Sequence, residues 1–120
     1  MASARRIEKI NTLVREVVAD ILSRDFQFPE GVLVTVTRVE ASEDLYYGRV
    51  FVSVLGREPG QEETALEYLA HRTAAVQREL NRRLGMRPVP KIHFETDQQE
   101  QRRERVEKLL SENQGIGSGV

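Results

Sequence analysis

The chain has 120 residues, no cysteine and a formal net charge of −1, so one domain is expected and disulfides, thiol chemistry and Cys-based metal sites are excluded. With 39% hydrophobic and 31% charged residues it has the composition of a soluble globular protein, and a polycationic chain is excluded. No uncharged run approaches the ~20 apolar residues of a membrane helix, and Met1–Arg6 lacks the apolar segment of a secretory leader, so a cytoplasmic protein is expected.

The first predicted element is a helix from Ile7 to Arg24. Ile7, Ile10, Val14, Val17, Val18 and Ile21 recur at the spacing of one buried stripe. Phe26–Gly31 is a connector punctuated by Pro29 and Gly31, with Phe26 and Phe28 expected under the core edge. Two strands follow, Val32–Val39 and Tyr46–Leu55, rich in β-branched and aromatic residues. The polar segment Ala41–Asp44 between them favours a tight turn, hence an antiparallel hairpin. A lone hairpin is marginal in water, so the rest of the chain must cover it. Val50, Val52 and Val54 share the face expected to receive helices, while Arg49, Phe51 and Ser53 share a mixed face expected to be partly open.

A second, long helix is predicted from Gln61 to Leu84, with acids in its first turn, a break near Thr73–Ala74 and Gly85 as its C-cap. Pro88 and Pro90 stop it and lead into a third strand, Lys91–Glu95, with Ile92 and Phe94 inward and Lys91, His93 and Glu95 outward. Asp97 is placed to cap a charged, weakly docked helix, Gln98–Asn113, whose thin apolar stripe is Val106, Leu109 and Leu110. Residues 1–112 are read as a single domain and 113–120 as a flexible tail. The order α-β-β-α(α)-β-α, with helices on one face of a three-stranded sheet, is an α+β two-layer domain.

Catalysis finds little support. His71 and His93 stand apart, with His93 read as an ordinary surface residue and Asp44 as a turn cap. There is no phosphate-loop, zinc-protease or nucleophile-elbow pattern. No catalytic residue, metal site, cofactor or small-molecule substrate is expected. The clearest functional signal is electrostatic. From His71 to Lys91 the basic residues are Arg72, Arg78, Arg82, Arg83, Arg87 and Lys91, against the single acid Glu79, a segment charge of +5. At ~100° per residue, Val76, Leu80 and Leu84 form the buried side, and Arg78 and Arg82 project opposite with Arg72 and Arg83 beside them. A compact arginine surface suits phosphate binding. The same arginines also fit a solvated helix face, and the 15 Arg to 3 Lys bias fits base composition as well as phosphate recognition. A protein-interaction module using the open sheet face or the last helix is the competing reading.

Val39–Val52 (Val-Glu-Ala-Ser-Glu-Asp-Leu-Tyr-Tyr-Gly-Arg-Val-Phe-Val) resembles the central motif of the bacterial ribosome-binding factor A family, and Arg87–Asp97 resembles its second signature, an Arg-x-x-Pro followed by a strand ending near Asp. The resemblance covers about residues 5 to 112. It implies a KH-like domain of type II order, α-β-β-α(kink)α-β with a short C-terminal helix. It further implies a monomeric assembly factor that binds the free 30S ribosomal subunit and 16S rRNA and assists late processing of the 16S rRNA 5′ end. Such a factor matters most in the cold and needs no cofactor. The alternative is a KH-like RNA- or protein-binding module not dedicated to the ribosome. The family's Ala-x-Gly kink falls at Thr73-Ala74-Ala75, which lacks glycine. The family's RNA-contacting helix begins after this point, which implies RNA contact by the arginines from Arg78 to Arg87.

Overall fold

The computed structural model describes residues 2–118, with side chains through Glu112. The elements are α1 (Ala4–Asp25), β1 (Leu33–Ala41), β2 (Tyr47–Leu55), α2 (Gln61–Arg83), β3 (Lys91–Thr96) and α3 (Gln98–Ser118). The sheet has the order β1-β2-β3. β1 and β2 are antiparallel, whereas β3 is parallel to β2. Parallel neighbours need a long crossover, and α2 supplies it. This is the α+β, KH-like order read from the sequence.

The expected stripe of α1 is the one buried: Val14 and Val18 are inaccessible, and Ile10, Ile21 and Leu22 nearly so. Ser3 caps the helix by accepting the Arg6 amide at 3.2 Å. The stripe packs on Val50, Val52 and Val54, all fully buried, and Leu69, Val76 and Leu80 of α2 complete the layer. Phe26 and Phe28 close one end by meeting the Tyr68 ring edge to face, at centroid distances of 6.0 and 5.6 Å.

The hairpin turn is held by its own polar side chains. The Ser42 hydroxyl donates to Asp44 at 2.6 Å, and Asp44 accepts the Tyr46 amide at 3.0 Å. Leu45 takes a left-handed φ of 65°, uncommon for a side-chain-bearing residue. Burying its side chain to 4% exposure holds it there.

Four expectations are corrected or sharpened. First, α2 is one uninterrupted helix through Thr73 and Ala74. With no glycine there, nothing in the segment favours leaving helical geometry; the Thr73 hydroxyl instead bonds the Leu69 carbonyl at 3.0 Å. Second, α2 ends at Leu84 in an extended conformation (φ −89°, ψ 120°), not at a left-handed Gly85, because the chain must turn at once towards β3. Third, the mixed sheet face is partly open as expected, but the covered part is specific: Phe51 is 5% exposed and Ser53 inaccessible, while Tyr47, Arg49, Lys91 and His93 are exposed. The guanidinium carbons of Arg38 and Arg49 lie 3.9 and 4.9 Å from the Phe51 centroid. Glu40 bridges these two arginines and Glu95 pairs with Arg49, and α3 covers Ser53. Fourth, α3 docks through polar groups near its start rather than through its apolar stripe. Ser53 donates to Glu104 at 2.6 Å, Gln101 accepts the Val54 amide at 2.9 Å, and Arg105 pairs with Glu62 at 2.6 Å. Val106, Leu109 and Leu110 are exposed.

Asp97 caps α3 as expected, accepting the Glu100 amide at 3.1 Å. It also accepts the Thr37 hydroxyl at 2.8 Å and Arg38 at 3.3 Å. A register shift between Val36 and Arg38 frees Thr37 to reach it. Burial pushes the Asp97 carboxyl up, but these donors outweigh it and hold the group below its ordinary range. The α3 backbone continues past Asn113 to Ser118; Gly119 and Val120, the end of the expected tail, lie outside the described residues.

Candidate nucleic-acid interface

Six basic residues define the expected interface, and the fold divides them. Val76 and Leu80 are inaccessible and Leu84 is 6% exposed, which fixes the rotation of α2. Arg78 and Arg82 then project to the solvent pole as expected. Arg72 and Arg83 do not lie beside them. Both fall on the flank towards α1, where Arg72 stacks over Tyr68 at 4.7 Å from its centroid.

Arg83 is committed to internal ion pairs. It reaches Asp20 at 2.6 Å, Glu79 at 2.9 Å and Asp25 at 3.8 Å, and only 25% of its side chain is exposed. Arg82 also bonds Glu79 but keeps 71% of its side chain exposed. Hydrogen bonds first from Arg82 and then from Arg83 draw the Glu79 carboxyl from its ordinary 4.5 down to about 2. The side-chain bond from Arg83 likewise lowers Asp20. This corner is electrostatically self-satisfied.

Arg78, Arg87 and Lys91 differ. All are exposed, and among the described residues none takes part in an ion pair with a carboxylate within 4 Å. One residue that sequence reasoning passed over ties this side together. The Gln77 amide accepts the Ile92 backbone N–H at 2.7 Å and donates to the Pro90 carbonyl at 3.0 Å. It thereby fixes the α2 turn that carries Arg78 to the backbone on either side of Lys91. Its signal was a polar side chain directly after Val76, on the shoulder of the apolar stripe, where α2 must meet the edge of β3. The same amide donates to Asn81 at 3.0 Å. Beyond the helix end, Asn81, Leu84, Gly85, Met86, Arg87, Pro88 and Val89 line an open cavity of about 560 Å³.

The outer sheet face carries Tyr47, Arg49, Lys91 and His93, but its arginines are neutralised. Arg49 bonds Glu95 at 2.9 Å, and the His93 imidazole lies 3.2 Å from the same carboxylate. The side-chain bond from Arg49, then that from His93, hold Glu95 below its ordinary range. Among the described residues no group of acids and histidines is placed to hold a metal. Among the described residues no helix is long and apolar enough to cross a membrane.

This arrangement has known counterparts. The family model described as Ribosome-binding factor A matches residues 6–110. The chain is 33% identical over 115 residues to the ribosome-binding factor A of Acetivibrio thermocellus, covering 95% of this chain and 93% of that protein. It is 36% identical over 110 residues to that of Natranaerobius thermophilus, covering 92% and 83%. Among solved structures, the crystal structure of ribosome-binding factor A from Thermus thermophilus superposes with a TM-score of 0.64 at 27% identity, over 75% of this chain and 93% of that one. A Thermus thermophilus ribosome binding factor A homology model, fitted into a cryo-EM map of a 30S–RbfA complex, gives 0.59 at 26% identity, over 71% and 88%. With one family model matching residues 6–110, and relatives more than 30% identical over most of both chains, the chain belongs to the ribosome-binding factor A family.

Proposed function

We propose that this chain is a monomeric cytoplasmic assembly factor that binds the free 30S ribosomal subunit through its 16S rRNA. It assists late maturation of the 16S rRNA 5′ end without catalysis of its own, and its contribution is largest in the cold. Family membership, together with the 30S complex recorded for a structural relative, is the observation that carries this reading. Residues 1–112 are the working RNA-binding unit. Of the six basic residues, Arg78, Arg87 and Lys91 are assigned the phosphate contacts, because they stand together around the α2–β3 junction without carboxylate partners among the described residues; Arg72 is also unpaired among them but lies on the opposite flank, stacked on Tyr68. Arg82 contributes at the margin. Arg83 ties α2 to α1, and Arg72 stacks on Tyr68 of its own helix.

The test is co-sedimentation with isolated small and large subunits across a salt series, using the wild type and an Arg78→Glu/Arg87→Glu/Lys91→Glu variant checked by circular dichroism. Selective small-subunit binding, lost with salt and lost in the folded variant, is expected. Equal binding to both subunits, or none at low salt, sinks the ribosomal assignment. A second reading, as a protein-interaction module, is favoured by the exposed Val106, Leu109 and Leu110 on α3. It requires binding to a protein partner that survives nuclease treatment and moderate salt.

A further inference from the structure

We propose that the cavity between the end of α2 and the start of β3 receives one unstacked nucleobase of single-stranded RNA. The proposal rests on the RNA-binding reading above and names what that surface reads beyond phosphate. The cavity, about 560 Å³, falls in the ~300–1,000 Å³ range of sites that hold small planar ligands. Its floor is apolar: Leu84 is buried, and Met86 and Val89 pack against the core behind it. Its rim is polar and cationic, formed by the exposed Asn81 and Arg87.

Two features make this a recognition site rather than a surface dent. The Asn81 carboxamide is oriented. Its oxygen accepts from Gln77 at 3.0 Å, and Gln77 is itself fixed to the β3 backbone at Pro90 and Ile92. The Asn81 amino group is thereby left as a donor for a base carbonyl or ring nitrogen. Arg87 lies on the rim, and Arg78 and Lys91 flank the same junction, so the backbone of an entering strand meets positive charge that no carboxylate neutralises. An apolar floor with a thioether suits the face of a base, an aligned amide suits its edge, and rim arginine suits its phosphate. Single-stranded RNA is read through this combination when a base is splayed out of the stack. A protein side chain of similar size would satisfy the floor but leave the cationic rim without a partner.

Gly85 gives a clean way to close the cavity. It lines the space, its φ is negative, and a Cβ built on it meets nothing within 4 Å. Gly85→Leu therefore fills the opening without displacing the fold. Asn81→Ala removes the edge donor while Gln77 keeps both its backbone bonds. The experiment measures binding of a short single-stranded ribo-oligonucleotide, and of the same strand with abasic sugars, to the wild type and both variants over a salt series. Thermal melts confirm folding. The wild type is expected to bind the intact strand about tenfold tighter than the abasic one, the scale of a single base contact. Both variants are expected to lose that preference while keeping the wild-type salt slope. If the wild type binds intact and abasic strands equally, yet with steep salt dependence, the pocket is refuted and the phosphate surface stands. Variants that weaken both strands alike also refute the pocket. Failure to bind either strand at low salt overturns the RNA reading and the pocket together.

Discussion

The two flanks of α2 carry similar residues and do different work. On the α1 side, Arg83 and its acids form a closed set in which every charge has a partner within the fold. On the β3 side, Arg78, Arg87 and Lys91 stand exposed around a scaffold of uncharged amides, Gln77 and Asn81. Charge counted along the sequence is therefore not charge presented to a ligand. A segment of +5 hands part of its positive charge to Asp20, Asp25 and Glu79. Apart from Arg72, stacked on Tyr68, what remains is narrower and lies towards the helix end.

The strongest test of this division is the Arg78→Glu/Arg87→Glu/Lys91→Glu variant. Small-subunit binding should fall on the order of a thousandfold at low salt, and the slope of log affinity against log salt should flatten by about 2 to 3. If Arg83→Met alone produces a comparable loss with the fold intact, the division is wrong. Leu80→Ala, on the buried stripe between the two flanks, should destabilise the domain by about 2–5 kcal/mol in denaturant titration. Binding per folded molecule should not change. Arg83→Met should lower the thermal midpoint, because Asp20 and Glu79 then face each other without their shared counter-charge, while subunit affinity and salt slope stay at wild-type values. The smallest effect is on pH dependence. The folded-state Glu79 carboxyl is drawn from 4.5 to about 2, so its contribution is complete above pH 4.5 and is lost as pH falls towards about 2. Glu79→Gln should remove that part of the acid slope in denaturation midpoints measured across this interval. A profile identical to wild type would show that the Arg82–Glu79–Arg83 cluster is too well solvated to matter.

Legibility followed local physics. The α1 stripe, the hairpin, the alternation of β3 and the Asp97 cap were readable because each is set by residues close in sequence. The solvent pole of α2 was readable too, since helical period alone places Arg78 and Arg82. Which arginines are neutralised within the fold was not readable. Asp20 lies 63 positions before Arg83, and no periodicity of either helix reveals how they cross. The covered part of the outer face escaped for a related reason. Alternation says that Phe51 and Ser53 point away from the valines, but not that arginines on neighbouring positions fold over one and α3 crosses the other. Gln77 was missed because a glutamine on a helix shoulder ordinarily meets water.

The pairing of β2 with β3 ends at Val52 and Thr96, while β2 itself continues to Leu55. The next amide that would look for a partner, that of Val54, finds the Gln101 side chain instead. The first turns of α3 thus serve as a splint on an unfinished ladder, supplying by side chain what a longer β3 would have supplied by backbone. Removing α3 would bare a stretch of strand edge and uncover Ser53 and its neighbours at the same place, a ready template for pairing with another chain. The first turns of α3 thereby cover a strand edge that would otherwise stand open to another strand.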